Sequence, residues 1–155
     1  MLSVIGRVVC FAGWLPLIAC HDRPQGIDAF AGAELRRSEN ESGLVVRVLS
    51  EGSGPAAADG DTLRVHYLLR LADGATIESS HEREPLVIML GHDPNYIDGL
   101  HQGLVGARPG ELREIIVPPA LGYRGRAMAK IPPQAMLHFA VQIMAVAPGS
   151  TGVER

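Results

Sequence analysis

From Gly43 onward the chain is a succession of short apolar runs bounded by turn residues, and the last run alternates cleanly. Leu137, Phe139, Val141 and Ile143 interleave with His138, Ala140 and Gln142. Successive side chains of a strand point to opposite faces, so this period of two marks a half-buried β-strand. The runs before it read the same way. Leu44 to Leu49 is valine-rich and ends in the loop Ser50 to Pro55, and Asp59-Gly60-Asp61 turns into a long strand candidate, Thr62 to Leu71. Asp73-Gly74 is a hairpin signal leading into Ala75 to Glu78. Pro85 to Leu90 is stopped by Gly91, and Arg108-Pro109-Gly110 sets Pro and Gly where a type II turn wants them, ahead of a strand over Glu111 to Pro118. The spacing of Ile97, Leu100 and Leu104 predicts one short helix from Asn95. The sum is an α+β domain, a mostly antiparallel sheet with one short helix against its inner face.

The first 42 residues are of a different kind. Arg7 is the only charge in the first nineteen, and Val8 to Ala19 is apolar throughout. That run falls short of the ~20 apolar residues of a comfortable membrane span and suits the hydrophobic region of a signal peptide. It ends in Leu17-Ile18-Ala19-Cys20, which resembles a bacterial lipobox, with Cys20 the lipidated residue; an ordinary secretory peptide with Cys20 incidental is the competing reading. On the first reading Cys10 leaves with the peptide, so the mature chain has no second thiol for an intramolecular disulfide. The expected organisation is a lipoprotein signal peptide at 1–19, a lipidated N-terminus and tether at 20–42, a domain at 43–147 and a polar tail at 148–155. A short helical turn is expected around Ala29 to Arg37. His21, rather than Asp, after Cys20 weakly favours outer-membrane over inner-membrane sorting in a bacterial envelope.

Beyond residue 30 the only aromatics are Tyr67, Tyr96, Tyr123 and Phe139. Each buries a large apolar area, so a domain this poor in rings is expected to group them in its core or in one apolar pocket. The net charge of −3 gives no electrostatic case for nucleic acid. His92, Asp93 and His101 lack a tight ligand spacing, so no metal site is expected, nor any cofactor.

Taken in order, Val65-His66-Tyr67, Asp73-Gly74, Glu78-Ser79-Ser80, Met89-Leu90-Gly91, Ile97 to Gly103, Pro118-Pro119, Leu121-Gly122-Tyr123 and Ile131-Pro132-Pro133 through Phe139 resemble the FKBP-type peptidyl-prolyl cis-trans isomerases. The resemblance covers residues 43 to 146. It implies a curved sheet wrapped around the helix and an apolar cup that receives proline and favours the twisted X-Pro amide. It places Tyr67, Ile77, Leu86, Ile97, Leu100, Tyr123, Ile131 and Phe139 around that cup, with Tyr96 at the rim. Tyr123 would offer its hydroxyl, and Ile97 its backbone N–H, to substrate carbonyls. Glu78 would stand where the family usually has Asp; pairing with Arg83 is its plainer use.

The chain also departs from the family. Leu100 occupies a position that is often tryptophan, Ile77 one that is usually phenylalanine, and Lys130 closes a loop from Arg124 that is about a residue short. The cup is therefore expected to be shallower than usual, with weaker macrolide binding. The expected partners are proline-containing exported polypeptides, with the membrane reached through the lipid on Cys20 and the protein a monomer. The alternative is a proline-binding or chaperone-like module with little turnover.

Overall fold

The computed structural model describes residues 33–123 and 130–149. Among them, seven strands form one antiparallel sheet: β1 (Arg36–Glu39), β2 (Val45–Ser50), β3 (Thr62–Leu71), β4 (Thr76–Ser79), β5 (Leu86–Met89), β6 (Leu112–Val117) and β7 (Leu137–Ala147). One helix, α1 (Asp98–Leu104), and a 3-10 turn at Pro119–Leu121 complete the described elements. The strand order is β1-β2-β6-β7-β3-β4, with β5 also paired to β3. The expected α+β architecture is the observed one.

The long strand β3 organises the site. One edge pairs with β7 along its whole length. Its other edge carries two strands end to end, β5 opposite Thr62 to Val65 and β4 opposite Leu68 to Arg70. The chain between them leaves the ladder, and Ser80 fills the break. Its buried hydroxyl accepts the Tyr67 N–H at 2.8 Å, and its own N–H donates to the Tyr67 carbonyl at 3.0 Å. A buried backbone donor must find a partner, and here a serine side chain supplies it.

Leu63, Val65 and Leu69 of β3, Ile115 and Val117 of β6, and Leu137, Phe139, Val141 and Ile143 of β7 form the core with Leu100 and Leu104 of α1. The helix lies close on β6 because its facing residues are glycines one turn apart. A Cβ on Gly99 would stand 2.3 Å from Val117 Cγ1, and one on Gly103 would stand 2.4 Å from Ile115 Cγ2. Glycine weakens a helix interior by up to ~1 kcal/mol relative to alanine, so the pair exchanges local propensity for close approach. Beneath the end of α1, the buried side chains of Arg113 and Glu111 pair, and Arg113 donates to the Gly103 carbonyl at 2.6 Å.

The region ahead of Gly43 differs from expectation. Instead of a helical turn around Ala29 to Arg37, the described part of that stretch enters β1, where Arg36 pairs with Val48 and Arg37 with Arg47. Asn40 closes the hairpin by accepting the N–H groups of Ser42 and Leu44 on its side-chain oxygen, and Gly43 takes φ +77°. The sheet thus begins at Arg36. All four residues of β1 are exposed and polar, so no apolar period marks the strand in the sequence.

Candidate functional site: an apolar cup between the sheet and the helix

The register of β3 and β7 sets Tyr67 opposite Val141 and Leu69 opposite Phe139. Tyr67 and Phe139 are therefore diagonal neighbours on the inner face, and their rings lie 6.4 Å apart at 44°. Glu78 of β4 pairs with Leu69, which puts it on that same face. Leu86 enters from β5, opposite Val65. Leu100 of α1, 4% exposed, lies below. The loop after β5 contributes Asn95, Tyr96 and Ile97, and Tyr123 follows the 3-10 turn. Together these residues line a cavity of about 300 Å³. A wider recess of about 550 Å³ shares Asn95, Tyr96, Ile97 and Tyr123 with it and runs on past Pro94, Asp98 and Gly122.

The polar side chains at this cavity are three phenols, the Asn95 amide and one carboxylate. Burial pushes the Tyr67 hydroxyl up to about 12, and the charge and hydrogen bonding of Glu78 add to it. Tyr123 is raised by burial and then by Glu78, and Tyr96 by burial, then Asp93, then Glu78. Burial disfavours the phenolate, so all three hydroxyls stay protonated at neutral pH and can act as donors. Glu78 itself meets Arg83 at 3.3 Å, the plainer use foreseen for it. Both side chains are about half exposed, so the pair adds little to stability. Arg83 is held by the Ser79 carbonyl, to which its Nη2 donates at 2.6 Å. Ile97, in extended backbone ahead of α1, accepts from the N–H groups of Leu100 and His101. Its own N–H has no acceptor among the described residues, which leaves it available at the rim.

Of the residues expected at the cup, the structure brings together Tyr67, Glu78, Leu86, Tyr96, Ile97, Leu100, Tyr123 and Phe139. Ile77 and Ile131 stand outside the lining. Ile77 falls at the irregularity between β3 and β4, where the alternation of faces is interrupted, and is half-buried against the core. Ile131 is buried in the core itself. Two lining residues escaped the sequence reading. Leu69 follows Tyr67 by two on β3, so the same period of two could have found it; Asn95 carries no such signal. His101, once weighed as a metal ligand, has both ring nitrogens engaged by backbone groups, and His92 Nδ1 lies 3.0 Å from the Leu90 carbonyl. Among the described residues no cluster of three or more His, Cys, Asp or Glu could hold a metal. Cys20 and Arg124 lie outside the described residues; Lys130 is exposed.

Residues 54–144 match the sequence model of a family described as FKBP-type peptidyl-prolyl cis-trans isomerase. The bovine protein peptidyl-prolyl cis-trans isomerase FKBP11 is 41% identical over 116 residues, which are 70% of this chain and 57% of that protein. FkpA, an FKBP-type peptidyl-prolyl cis-trans isomerase of Escherichia coli strain K12, is 34% identical over 110 residues, 70% of this chain and 40% of its own length. The crystal structure of FkpA from Escherichia coli matches with a TM-score of 0.66 at 34% identity, covering 77% of this chain and 55% of that one. The chain thus spans about half the length of these relatives.

Proposed function

The chain belongs to the FKBP-type peptidyl-prolyl cis-trans isomerase family, and from that premise we propose that it accelerates X-Pro isomerisation in exported polypeptides at the cup between β3, β7 and α1. The observation that carries this reading is the convergence of Tyr67, Phe139, Leu86 and Leu100 on one small cavity whose rim holds protonated phenols and a backbone N–H, that of Ile97, with no acceptor among the described residues. Rotation about an X-Pro bond is slow because the amide loses its partial double bond at the top of a ~20 kcal/mol barrier. No nucleophile is needed to lower it.

A proline ring seated against Tyr67, Phe139 and Leu100 leaves water. The twisted amide, which has lost resonance and much of its dipole, suits that dry surface better than the planar one does. The Ile97 N–H and the Tyr123 hydroxyl donate to carbonyls on either side of the proline and fix the chain while the bond turns. Glu78, restrained by Arg83, stands beside the carbonyl of the turning bond. Ile77 and Ile131 support the cup from the core.

A proline-limited refolding assay tests the proposal. Acceleration that depends on Tyr67 and Phe139 supports it. Binding of a proline peptide without acceleration supports instead the holdase reading, to which leucine at position 100 lends its argument: an aliphatic floor grips a ring less firmly than a large aromatic. We further propose a monomer anchored in a bacterial envelope through lipid on Cys20, with the outer membrane favoured. The support is the apolar run Val8 to Ala19 and the Leu17-Ile18-Ala19-Cys20 ending. Fatty-acid label on the wild type and none on Cys20→Ala is the expected result; equal label on both removes the anchor.

A further inference from the structure

We propose that His101 is a positioning residue for the cup: its neutral imidazole ties the loop carrying Asn95, Tyr96 and Ile97 to α1 at two points, and acid releases the one at Gly91. The inference rests on the isomerase reading for its consequence, but not for its geometry. The Gly91 N–H donates to Nδ1 of His101 at 3.0 Å, and Nε2 lies 2.8 Å from the Asp93 carbonyl. One side chain on the helix thus holds the start and the middle of the loop, and the next residues of that loop are rim residues. The loop's other bonds are local. Asn95 donates to the Asp93 carboxylate through its N–H and its amide, and the Tyr96 N–H reaches the Asp93 carbonyl at 3.4 Å. These shape the loop. Besides the Ile97 carbonyl, which accepts the Leu100 and His101 N–H groups at the helix start, the His101 side-chain pair links the earlier part of the loop to α1.

The partners settle the protonation state. An N–H can only donate and a carbonyl can only accept, so Nδ1 must be the acceptor and Nε2 must carry the hydrogen. An imidazolium carries hydrogen on both nitrogens and would face the Gly91 N–H donor to donor. The charged and titratable groups around this contact are Asp59, whose carboxylate lies against Gly91, His92 and Asp93 in the loop, and Asp98 one turn earlier on α1. The Asp93 carboxylate is occupied by Asn95 and His92 by the Leu90 carbonyl. Neither replaces the Gly91 N–H at Nδ1. Protonation therefore breaks the Gly91 contact while Nε2 goes on donating to the Asp93 carbonyl. The start of the loop is released from the helix without opening the core, and the Asn95–Tyr96 part of the rim is held at one point instead of two.

The test compares wild type, His101→Gln and His101→Phe in peptide isomerisation at pH 8 and pH 5.5, with amide exchange at Gly91 followed in parallel. Glutamine offers an acceptor and a donor and does not titrate; phenylalanine offers neither. In wild type, kcat/KM should fall about five-fold in acid, the scale of one lost hydrogen bond, and Gly91 protection should fall with it. His101→Gln should keep most of the wild-type rate at pH 8 and show no acid limb. His101→Phe should be slow and poorly protected at both pH values while still unfolding cooperatively. An acid limb of equal depth in His101→Gln, or Gly91 protection indifferent to pH in wild type, overturns the proposal. If no variant isomerises anything, the exchange data still decide the role of His101, and only the reading of the cup has failed.

Discussion

Arg113 and Glu111 form an ion pair from which water is excluded, with Nε of the arginine 2.7 Å from the Glu111 carboxylate and both residues 2% exposed or less. Burial pulls the Arg113 pKa down and Glu111 holds it up. The arginine also donates to the carbonyls of Gly103 and Val105 at 2.6 and 3.3 Å, where α1 ends and its last carbonyls have no helical partner. The Glu111 carboxylate in turn accepts the Arg108 N–H at 3.1 Å. The pair therefore fixes the end of the helix whose start carries Ile97 and Leu100.

Removing one partner should be far worse than removing both. Glu111→Ala leaves a buried guanidinium without its counter-charge and should destabilise the domain by ~3–5 kcal/mol. The double variant Glu111→Leu with Arg113→Met should recover much of that loss in urea unfolding, though the α1 carbonyls stay uncapped. Additive losses in the double variant would contradict a coupled pair.

Gly103→Ala separates helix propensity from packing. Alanine should favour the helix by up to ~1 kcal/mol, yet its Cβ would stand 2.4 Å from Ile115 Cγ2 and 2.9 Å from Cδ1. The neighbour sits in the middle of β6 in a closed core, so the helix has to move outward. A net loss of about 1–3 kcal/mol is expected in denaturant unfolding. Stabilisation would mean that α1 does not lie as close to β6 as described.

Tyr67 predicts an alkaline limb. Its folded pKa, about 12, lies above the ordinary phenol value near 10, because burial and the Glu78 carboxylate both resist the phenolate. The folded state thus holds that proton more tightly than the unfolded chain does. The stability this contributes is complete below about pH 10 and disappears as the pH rises toward about 12. Denaturant midpoints measured across that window should fall in wild type and fall less steeply in Tyr67→Phe. Parallel slopes for the two proteins would show that Tyr67 titrates normally.

What could be foreseen of this molecule follows from which contacts leave a periodic trace. The strand at Thr62 to Leu71 and the alternation of Leu137 to Ile143 could be read because one face of each is buried, and Leu100 and Leu104 identified the helix in the same way. The cup could be placed because most of its lining sits on such faces or in named loops. Other features of the fold leave no such trace. Arg36–Glu39 is an exposed edge strand with nothing apolar to repeat. The Gly99 and Gly103 approach depends on residues of a distant strand. Ser80 acts through a hydroxyl that stands in for a ladder bond, which only the neighbouring Tyr67 backbone makes meaningful. The family resemblance puts Ile77 at the cup, but the irregularity opposite Leu69 and Arg70 leaves it outside the lining.

Tyr123 and Phe139 should differ in kind when each is cut back. Tyr123→Phe keeps the ring at the rim and removes one donor to the substrate, so the fold should be unaffected and kcat/KM should drop about 2- to 10-fold, the range expected for one hydrogen bond. If that bond forms more strongly as the amide twists, kcat carries the loss; if it forms equally with the planar amide, KM does. Phe139 is 4% exposed and pairs with Ile115 and Leu69 on either side, so Phe139→Ala opens a void in the core as well as in the cup wall. It should cost ~3–5 kcal/mol of stability along with the activity. Full activity in a correctly folded Phe139→Ala protein would place catalysis somewhere other than this cup.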